Sequence, residues 1–402
     1  MKGQLVNDEI EAKKVEFLVY YVEPVGGHLG MHYYDFSLCR ELTKNNIKVI
    51  LQTCDETEQY LDNLDFPVRF PFKKIYGDGQ KILRGWRYLK GQLKILLSAR
   101  KGKAGILHFH YFHFLPLDWI LVKLSKKIGF QVIITAHDVI PFDAGQKEMP
   151  WLRRLYQSAD AVIVHTQDSS NEIQEKFGLE EKKVTIIPQG PYFYFSEKNQ
   201  ISREKARVRL GMTKMAKMVL FFGQIKKVKG IGHLIAAFPQ VLEAVPESRL
   251  VIAGPEWRHS FGNYADTIRD LGIEDKVLLR IEHIPEEDVA FYFTAADVVV
   301  LPYTKVYQSA VLFMAHSFAK PIVASSIGGL AEVIRHRETG ILVPPGDEQA
   351  LAEALIEVLT NEQTAAEMGM KGKIEAAEIY GWPAIAKKTA DLYTLIHQEQ
   401  MK

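Results

Sequence analysis

Cysteine is scarce in this chain: its 402 residues include only Cys39 and Cys54. That argues against a disulfide framework and fits a reducing, cytoplasmic setting. Long apolar runs are missing as well, since no uninterrupted stretch approaches the roughly 20 residues a membrane-spanning helix needs. Charge of either sign is not in excess: 50 Lys and Arg face 49 Asp and Glu, for a formal +1. A dedicated nucleic-acid binder would be strongly basic, so no nucleic acid is expected as a partner and any affinity for polyanions has to be local. The opening MKGQLVNDEIEAKKVEF lacks the apolar core of a secretory signal. These absences point to the cytoplasm, with the inner face of the plasma membrane as the only peripheral site to consider.

What is present is an ordinary globular composition, 47% hydrophobic and 25% charged. The length exceeds the roughly 250–300 residues at which one core stops growing, so two domains are expected. Apolar runs recur at VEFLVYYV (15–22), KVIL (48–51), GILHFHYF (105–112), QVIITAH (131–137) and AVIVHT (161–166). After a passage rich in Pro, Gly and charge, from Pro188 to about Lys214, they restart as MVLFFG (218–223), RLVIAG (249–254), KVLLR (276–280), DVVVLP (297–302) and PIVAS (321–325). Continuous rather than alternating hydrophobicity marks strands buried on both faces of a parallel sheet. The fold class is therefore α/β, with two doubly wound, Rossmann-like domains facing across a cleft, over 1–195 and 210–382. A last amphipathic helix, about 383–402, sets Ile385, Leu392, Leu395 and Ile396 at helical spacing and is expected to cross back onto the first domain.

In such sheets ligands bind beyond the carboxyl ends of the strands, which makes the loops there informative. GGHLG (26–30) departs from the dinucleotide fingerprint G-x-G-x-x-G because its second Gly directly follows the first, although Asp55 or Glu56 could stand in for the acid of a nicotinamide site. Its glycines let a ligand approach the backbone, and the helix behind offers N–H groups. GQIKKVKG (223–230) sets Lys226, Lys227 and Lys229 beyond a strand end, where a diphosphate would meet positive charge without a metal. SSIGG (325–329) follows a buried strand and precedes a helix, the setting of a backbone anion nest. HFHYFH (108–113) puts His108 and His110 on one strand face and leaves His113 undetermined, with no Cys or acidic cluster to complete a metal set. No metal is expected there.

Together these residues resemble the retaining glycosyltransferases of family 4, of the two-Rossmann GT-B architecture. The resemblance covers nearly the whole chain. It rests on the GG loop, on FFGQIKKVKG against the family's F-x-G-R-(I/L)-x-x-x-K-G, on AADVVVLPY, on FAKPIVASSIGGLAEVI and on ETGILVPPGD. It implies an N-terminal acceptor domain and a C-terminal donor domain. It also implies transfer of a sugar from a nucleoside diphosphate with retention at the anomeric carbon, with no metal and no cofactor beyond the donor substrate. Gly223, Gln224, Lys229, Ile284, Gln308, Ser309, Ala310, Met314, Gly328 and Gly329 form the expected donor site, and Gly26, Gly27, His28 and His165 the acceptor side. The strand-end His137 of TAHDV takes the family's contact with donor sugar and diphosphate. Departure of a nucleoside diphosphate develops charge on its oxygen, and Lys229 is assigned to stabilise it. His137 and Lys229 are thus the expected catalytic pair.

Three departures qualify the match. The family carries two glutamates eight positions apart where Val306 and Met314 stand here, and its G-R arginine is Gln224. PYTKVYQSAV is instead similar to the P-Y-x-x-x-x-Q-S-G-V loop of exopolysaccharide-type members, and amides at Gln308, Ser309 and Ala310 remain available to a diphosphate. The expected function is hexosyl transfer to a glycan or lipid-linked glycan acceptor in cell-surface polysaccharide synthesis. The alternatives are a catalytically silent nucleotide-sugar or glycan-binding subunit and a sugar-nucleotide epimerase. Between Lys73 and Lys103, ten Lys and Arg face one acid, Asp78. Lys81, Arg84, Arg87 or Lys90, and Lys94 share one side of the helix expected over 80–97, with Leu83, Trp86, Leu89, Leu93 and Leu96 nearer the other. Such a helix suits an anionic membrane surface.

Overall fold

The computed structural model describes residues 17–27, 30–61, 64–77, 80–111, 114–141, 149–198, 201–257 and 260–400. The opening segment, His28 and His113 lie outside them. The first sheet contains β1 (Leu18–Val22), β2 (Lys48–Cys54), β3 (Val68–Phe72), β4 (Ile106–Tyr111), β5 (Gln131–Ala136), β6 (Ala161–Val164) and β7 (Val184–Ile186). Its spatial order is β3-β2-β1-β4-β5-β6-β7 and every pair is parallel. The second contains β8 (Lys217–Phe222), β9 (Ser248–Ala253), β10 (Val277–Arg280), β11 (Val298–Leu301), β12 (Ile322–Ser325) and β13 (Ile341–Val343), ordered β10-β9-β8-β11-β12-β13 and also parallel. Strand order reverses between β1 and β4 in one sheet and between β8 and β11 in the other. Chain leaving adjacent strands there turns in opposite directions and opens a crevice.

Parallel strands covered on both faces need continuous apolar sequence, and these have it. Val219, Leu220, Val298, Val299, Ile322 and Val323 are all fully buried in the core of the second sheet. The first sheet has a core on each face. On one, Leu107, Val132 and Ile134 meet Ile95 and Leu96 of the helix Lys81–Lys101 and Leu121 and Val122 of the helix Pro116–Ile128. On the other, Tyr21, Ile106 and Ile133 meet Tyr34 and Leu38 of the helix Met31–Lys44 and Ile385, Ala386 and Tyr393 of the helix Trp382–Gln400. That last helix is fixed by a Trp382 Nε1–H bond to Pro191 O (2.9 Å) and a Tyr393 hydroxyl contact with His108 Nδ1 (2.6 Å). Leu395, placed on its apolar stripe by spacing, is 53% exposed.

The helix Lys81–Lys101 divides differently from the expectation. Leu96 turns inward, but Leu83, Trp86 and Leu93 are exposed, and Ile82 and Leu97 join them at 79% and 71% exposure. Tyr88, Gly91, Gln92, Ile95 and Ala99 supply the buried side instead. Arg84 and Arg87 are tied to the carbonyls of Gly77 (2.8 Å) and Lys74 (3.0 Å), while Lys90 and Lys94 stay exposed. Among the described residues no helix is long and apolar enough to cross a membrane.

Candidate active site

A cleft of about 650 Å³ lies between the two sheets, lined by loops that leave β1 and β5 on one side and β8, β9 and β11 on the other. On the second-sheet side, the chain leaves β8 through Gly223 and Gln224 and runs on to Lys226, Lys227 and Lys229, all of which line the cleft. Gly230 closes this turn at φ +67°, where an added Cβ would lie 1.8 Å from Pro302 O. Only glycine lets the lysine turn sit against the loop that follows β11. The two are joined further by Thr304 N–H to Val228 O (2.9 Å).

Lys229 Nζ stands 3.7 Å from the centroid of the fully buried Tyr303 ring, and the Tyr303 hydroxyl is 3.4 Å from Ser309 Oγ. This aligns the cation beside the start of the helix Ala310–Ser317, whose N-terminal Ser309 makes no side-chain capping bond. First-turn amides without a cap are suited to an anion. Gln308, Ser309, Ala310, Val306, Met314 and Ile284 all line the same wall.

Gly328 and Gly329 are placed behind this wall. They do not line the cleft; a Cβ on Gly328 would lie 2.3 Å from Val306 O, and Gly329 N–H bonds Tyr307 O at 3.2 Å. They brace the 306–308 loop. The next turn carries Glu332, whose carboxylate accepts the N–H groups of Gln167 (2.9 Å) and Asp168 (3.0 Å), capping a helix of the opposite half. Tyr307 is itself buried in the core of the first sheet.

On the first-sheet side, Gly27, Gly30 and Met31 line the cleft, and Gly26 sits behind them against Thr53, Cys54 and Thr57. His137 and Asp138 follow β5 and face the lysines. Burial pushes the Asp138 carboxyl up to about 7, with Lys226, Lys229 and Lys305 pulling it back. His165 does not line the cleft. Its Nδ1–H donates to Ile187 O (2.8 Å), its ring lies 4.6 Å from that of His137, and burial lowers it to about 4. The two halves also meet where the Tyr33 hydroxyl donates to Glu286 Oε2, with His32 Nε2 3.5 Å from the other carboxylate oxygen. Burial lowers His32 to about 4, so this second contact joins a neutral ring to the carboxylate.

Sequence reasoning passed over Lys305, Trp257, Glu286 and Tyr33, which line the cleft. Lys305 had a usable signal, being a cation beside the position where the family pattern carries an acid. Trp257 had none, since its role under Lys226 (5.5 Å to the ring centroid) depends on how β9 ends. Among the described residues no group of three or more His, Cys, Asp and Glu is placed to hold a metal ion. His108 spends both ring nitrogens on Tyr393 and Thr135.

Comparison with known proteins accounts for both halves. Residues 30–190 match the family described as Glycosyltransferase Family 4, and residues 202–375 match Glycosyl transferases group 1. A D-inositol 3-phosphate glycosyltransferase of Corynebacterium diphtheriae is 26% identical over 390 residues, 90% of this chain and 89% of that protein. An uncharacterized glycosyltransferase of Methanocaldococcus jannaschii is 31% identical over 248 residues, 60% of this chain and 61% of that one. The fold is similar to that of sucrose-phosphate synthase from Thermosynechococcus elongatus, at TM-score 0.74 and 20% identity over 96% of this chain and 100% of that chain. It is also similar to Anabaena HepE in complex with UDP and glucose, at TM-score 0.73 and 17% identity over 94% and 99%. With the walls of the cleft falling in both matched regions, the chain belongs to the family 4 glycosyltransferases of GT-B fold.

Proposed function

We propose that the chain is a retaining, metal-independent hexosyltransferase that uses a uridine diphosphate sugar and extends a glycan or lipid-linked glycan in cell-surface polysaccharide synthesis. The observation that carries this reading is the charge of the cleft: Lys226, Lys227, Lys229 and Lys305 line it against the carboxyls of Asp138 and Glu286. A diphosphate would neutralise that excess, and Lys229 with the uncapped amides at 309–311 would stabilise the charge that develops as it leaves. His137 contacts the sugar from the opposite wall. Uridine as the base is suggested by the UDP and UDP-glucose complexes of the similarly folded HepE. The loop with Val306 and Met314 in place of carboxylates belongs, in this reading, to the exopolysaccharide-type variant.

The acceptor is taken to be presented at a membrane. Ile82, Trp86 and Leu97 lie open on the helix Lys81–Lys101, and Ile120 and Leu124, 54% and 37% exposed, on its neighbour over the same core. Lys90, Lys94 and Lys101 flank the first stripe. Apolar side chains beside lysines fit an anionic lipid surface, with each cation contributing about 1 kcal/mol.

The test starts with thermal shift against UDP-, GDP- and dTDP-glucose, followed by transfer assays on glycan and polyol-phosphate acceptors with and without a chelator. A shift confined to UDP-sugar, chelator-resistant turnover and retained anomeric configuration by NMR are expected. Binding without turnover on every acceptor would overturn transfer in favour of a silent binding subunit. Inhibition by chelator that added metal reverses would overturn metal independence.

A further inference from the structure

Behind His137 runs a buried line of hydrogen-bonding groups. His110, in β4 opposite Thr135 of β5, is fully buried. Its Nδ1 lies 2.9 Å from Asp35 Oδ1 and its Nε2 meets Nε2 of His137. Asp35 is 1% exposed and interacts in turn with Glu23, which accepts N–H groups from Val25 (2.7 Å) and Gly26 of the glycine loop. Burial pushes both carboxyls, Glu23 and Asp35, well up, and the two are hydrogen-bonded to each other.

The hydrogens along this line can then be assigned. With Asp35 hydrogen-bonded to Glu23, its Oδ1 is left to accept from His110, which carries its hydrogen on Nδ1 and turns a lone pair at Nε2 toward His137. Facing that lone pair, His137 must carry its own hydrogen on Nε2. Both rings are kept neutral by burial, His110 lowered to about 3 and His137 well below its ordinary value. Tyr34 packs on the two rings, at 4.7 Å and 5.4 Å between centroids, and leaves them little room to turn.

We propose that Asp35 and His110 are positioning residues that lock the cleft-lining His137 into a single neutral tautomer, hydrogen on Nε2, and a single ring orientation. The functional consequence rests on the reading of His137 as the sugar contact. A ring held in one orientation meets the reacting sugar correctly at every encounter; a ring free to exchange tautomers does so only part of the time. The loss should therefore fall on kcat more than on donor KM.

The experiment is side-chain ¹⁵N NMR of histidine-labelled full-length protein, paired with kinetics on UDP-glucose. Wild-type His137 should show a protonated Nε2 and an unprotonated Nδ1. His110→Phe keeps a ring but has no acceptor; it should give mixed tautomers and lower kcat by about tenfold or more, with donor KM within about twofold. His110→Gln can donate to Asp35 and accept from His137 with one amide, and should restore both the tautomer and most of kcat. A wild-type His137 protonated on Nδ1, or present as a mixture, overturns the assignment without any variant. An unchanged tautomer and kcat in His110→Phe overturns the positioning role. Absence of transfer by the wild type would instead defeat the glycosyltransferase reading, while the NMR result still decides the tautomer.

Discussion

Replacing Lys229 by alanine should cost turnover far more than stability. Its Nζ sits 3.7 Å from the centroid of Tyr303, a cation–π contact made by a half-buried lysine. Such contacts contribute roughly 0.5–2 kcal/mol. For a domain of this size that is a fall in Tm of about 1–8 °C. A donor aimed at developing charge in a water-poor cleft contributes roughly 10²–10³ in kcat, about 2.7–4 kcal/mol. Lys226, Lys227 and Lys305 line the same space, so the lower end, about 10²-fold, is expected. Steady-state kinetics at saturating UDP-sugar should show this loss, with melting by calorimetry as the control. Lys229→Met, which keeps most of the stem on the Tyr303 ring, should recover stability without recovering kcat. A kcat within about threefold of wild type, alongside the predicted fall in Tm, would confine Lys229 to bracing Tyr303 and refute its place in catalysis.

Other perturbations have equally definite outcomes. Gly230→Ala should destabilise by at least about 2 kcal/mol and weaken UDP-sugar binding, since its Cβ meets Pro302 O, whereas Gly211→Ala, also at positive φ but with nothing within 4 Å, should cost only the backbone strain of about 1–2 kcal/mol. Equal effects in denaturant titrations would remove the loop contact as the cause. Burial pushes the Asp118 carboxyl up to about 7 in the folded protein from an ordinary 3.8. Folding therefore takes up a proton between those values, so the Asp118 contribution to stability should fall as pH rises from about 4 to about 7 and then level off. The difference in unfolding free energy between wild type and Asp118→Asn should follow that curve, and a flat difference would contradict it. Lys90→Glu, Lys94→Glu, Trp86→Ser and Leu97→Ser together should abolish salt-sensitive sedimentation with anionic vesicles and spare transfer to a soluble acceptor. Equal vesicle binding by this variant would rule out docking through the helix.

The sheets were legible because strands buried on both faces announce themselves. Ten strands stood out as continuous apolar runs. Three did not: β3, β7 and β13 are all edge strands, where one side of the ladder is unpaired and burial is partial. β3 even contains Pro71, which an edge tolerates and a centre does not. The lysine turn and the 308–310 loop were readable as cleft residues because each lies in the loop between a strand's carboxyl end and the next helix. Gly328 and Gly329 look the same in sequence yet back the loop. Whether a strand-end glycine faces ligand or neighbouring chain depends on which loop crosses it. The His110 and Asp35 pairing was out of reach for a similar reason. The two are 75 positions apart and meet only once a helix has been laid across β4.

The helix Trp382–Gln400 covers one face of the first sheet, burying Ile385, Leu392, Tyr393 and Ile396 there. In a cell this has a temporal consequence. The sheet it covers ends with β7 at Ile186, so the ribosome must add the whole second half before the cover emerges. At the usual 5–20 residues per second that interval is about 10–40 s. Throughout it the nascent first half carries an open apolar surface with His108 and Gln131 awaiting partners. The second half can finish its own core meanwhile. The protein is thus a case in which the domain made first is completed last, and a holding chaperone has a defined surface and a defined time in which to act.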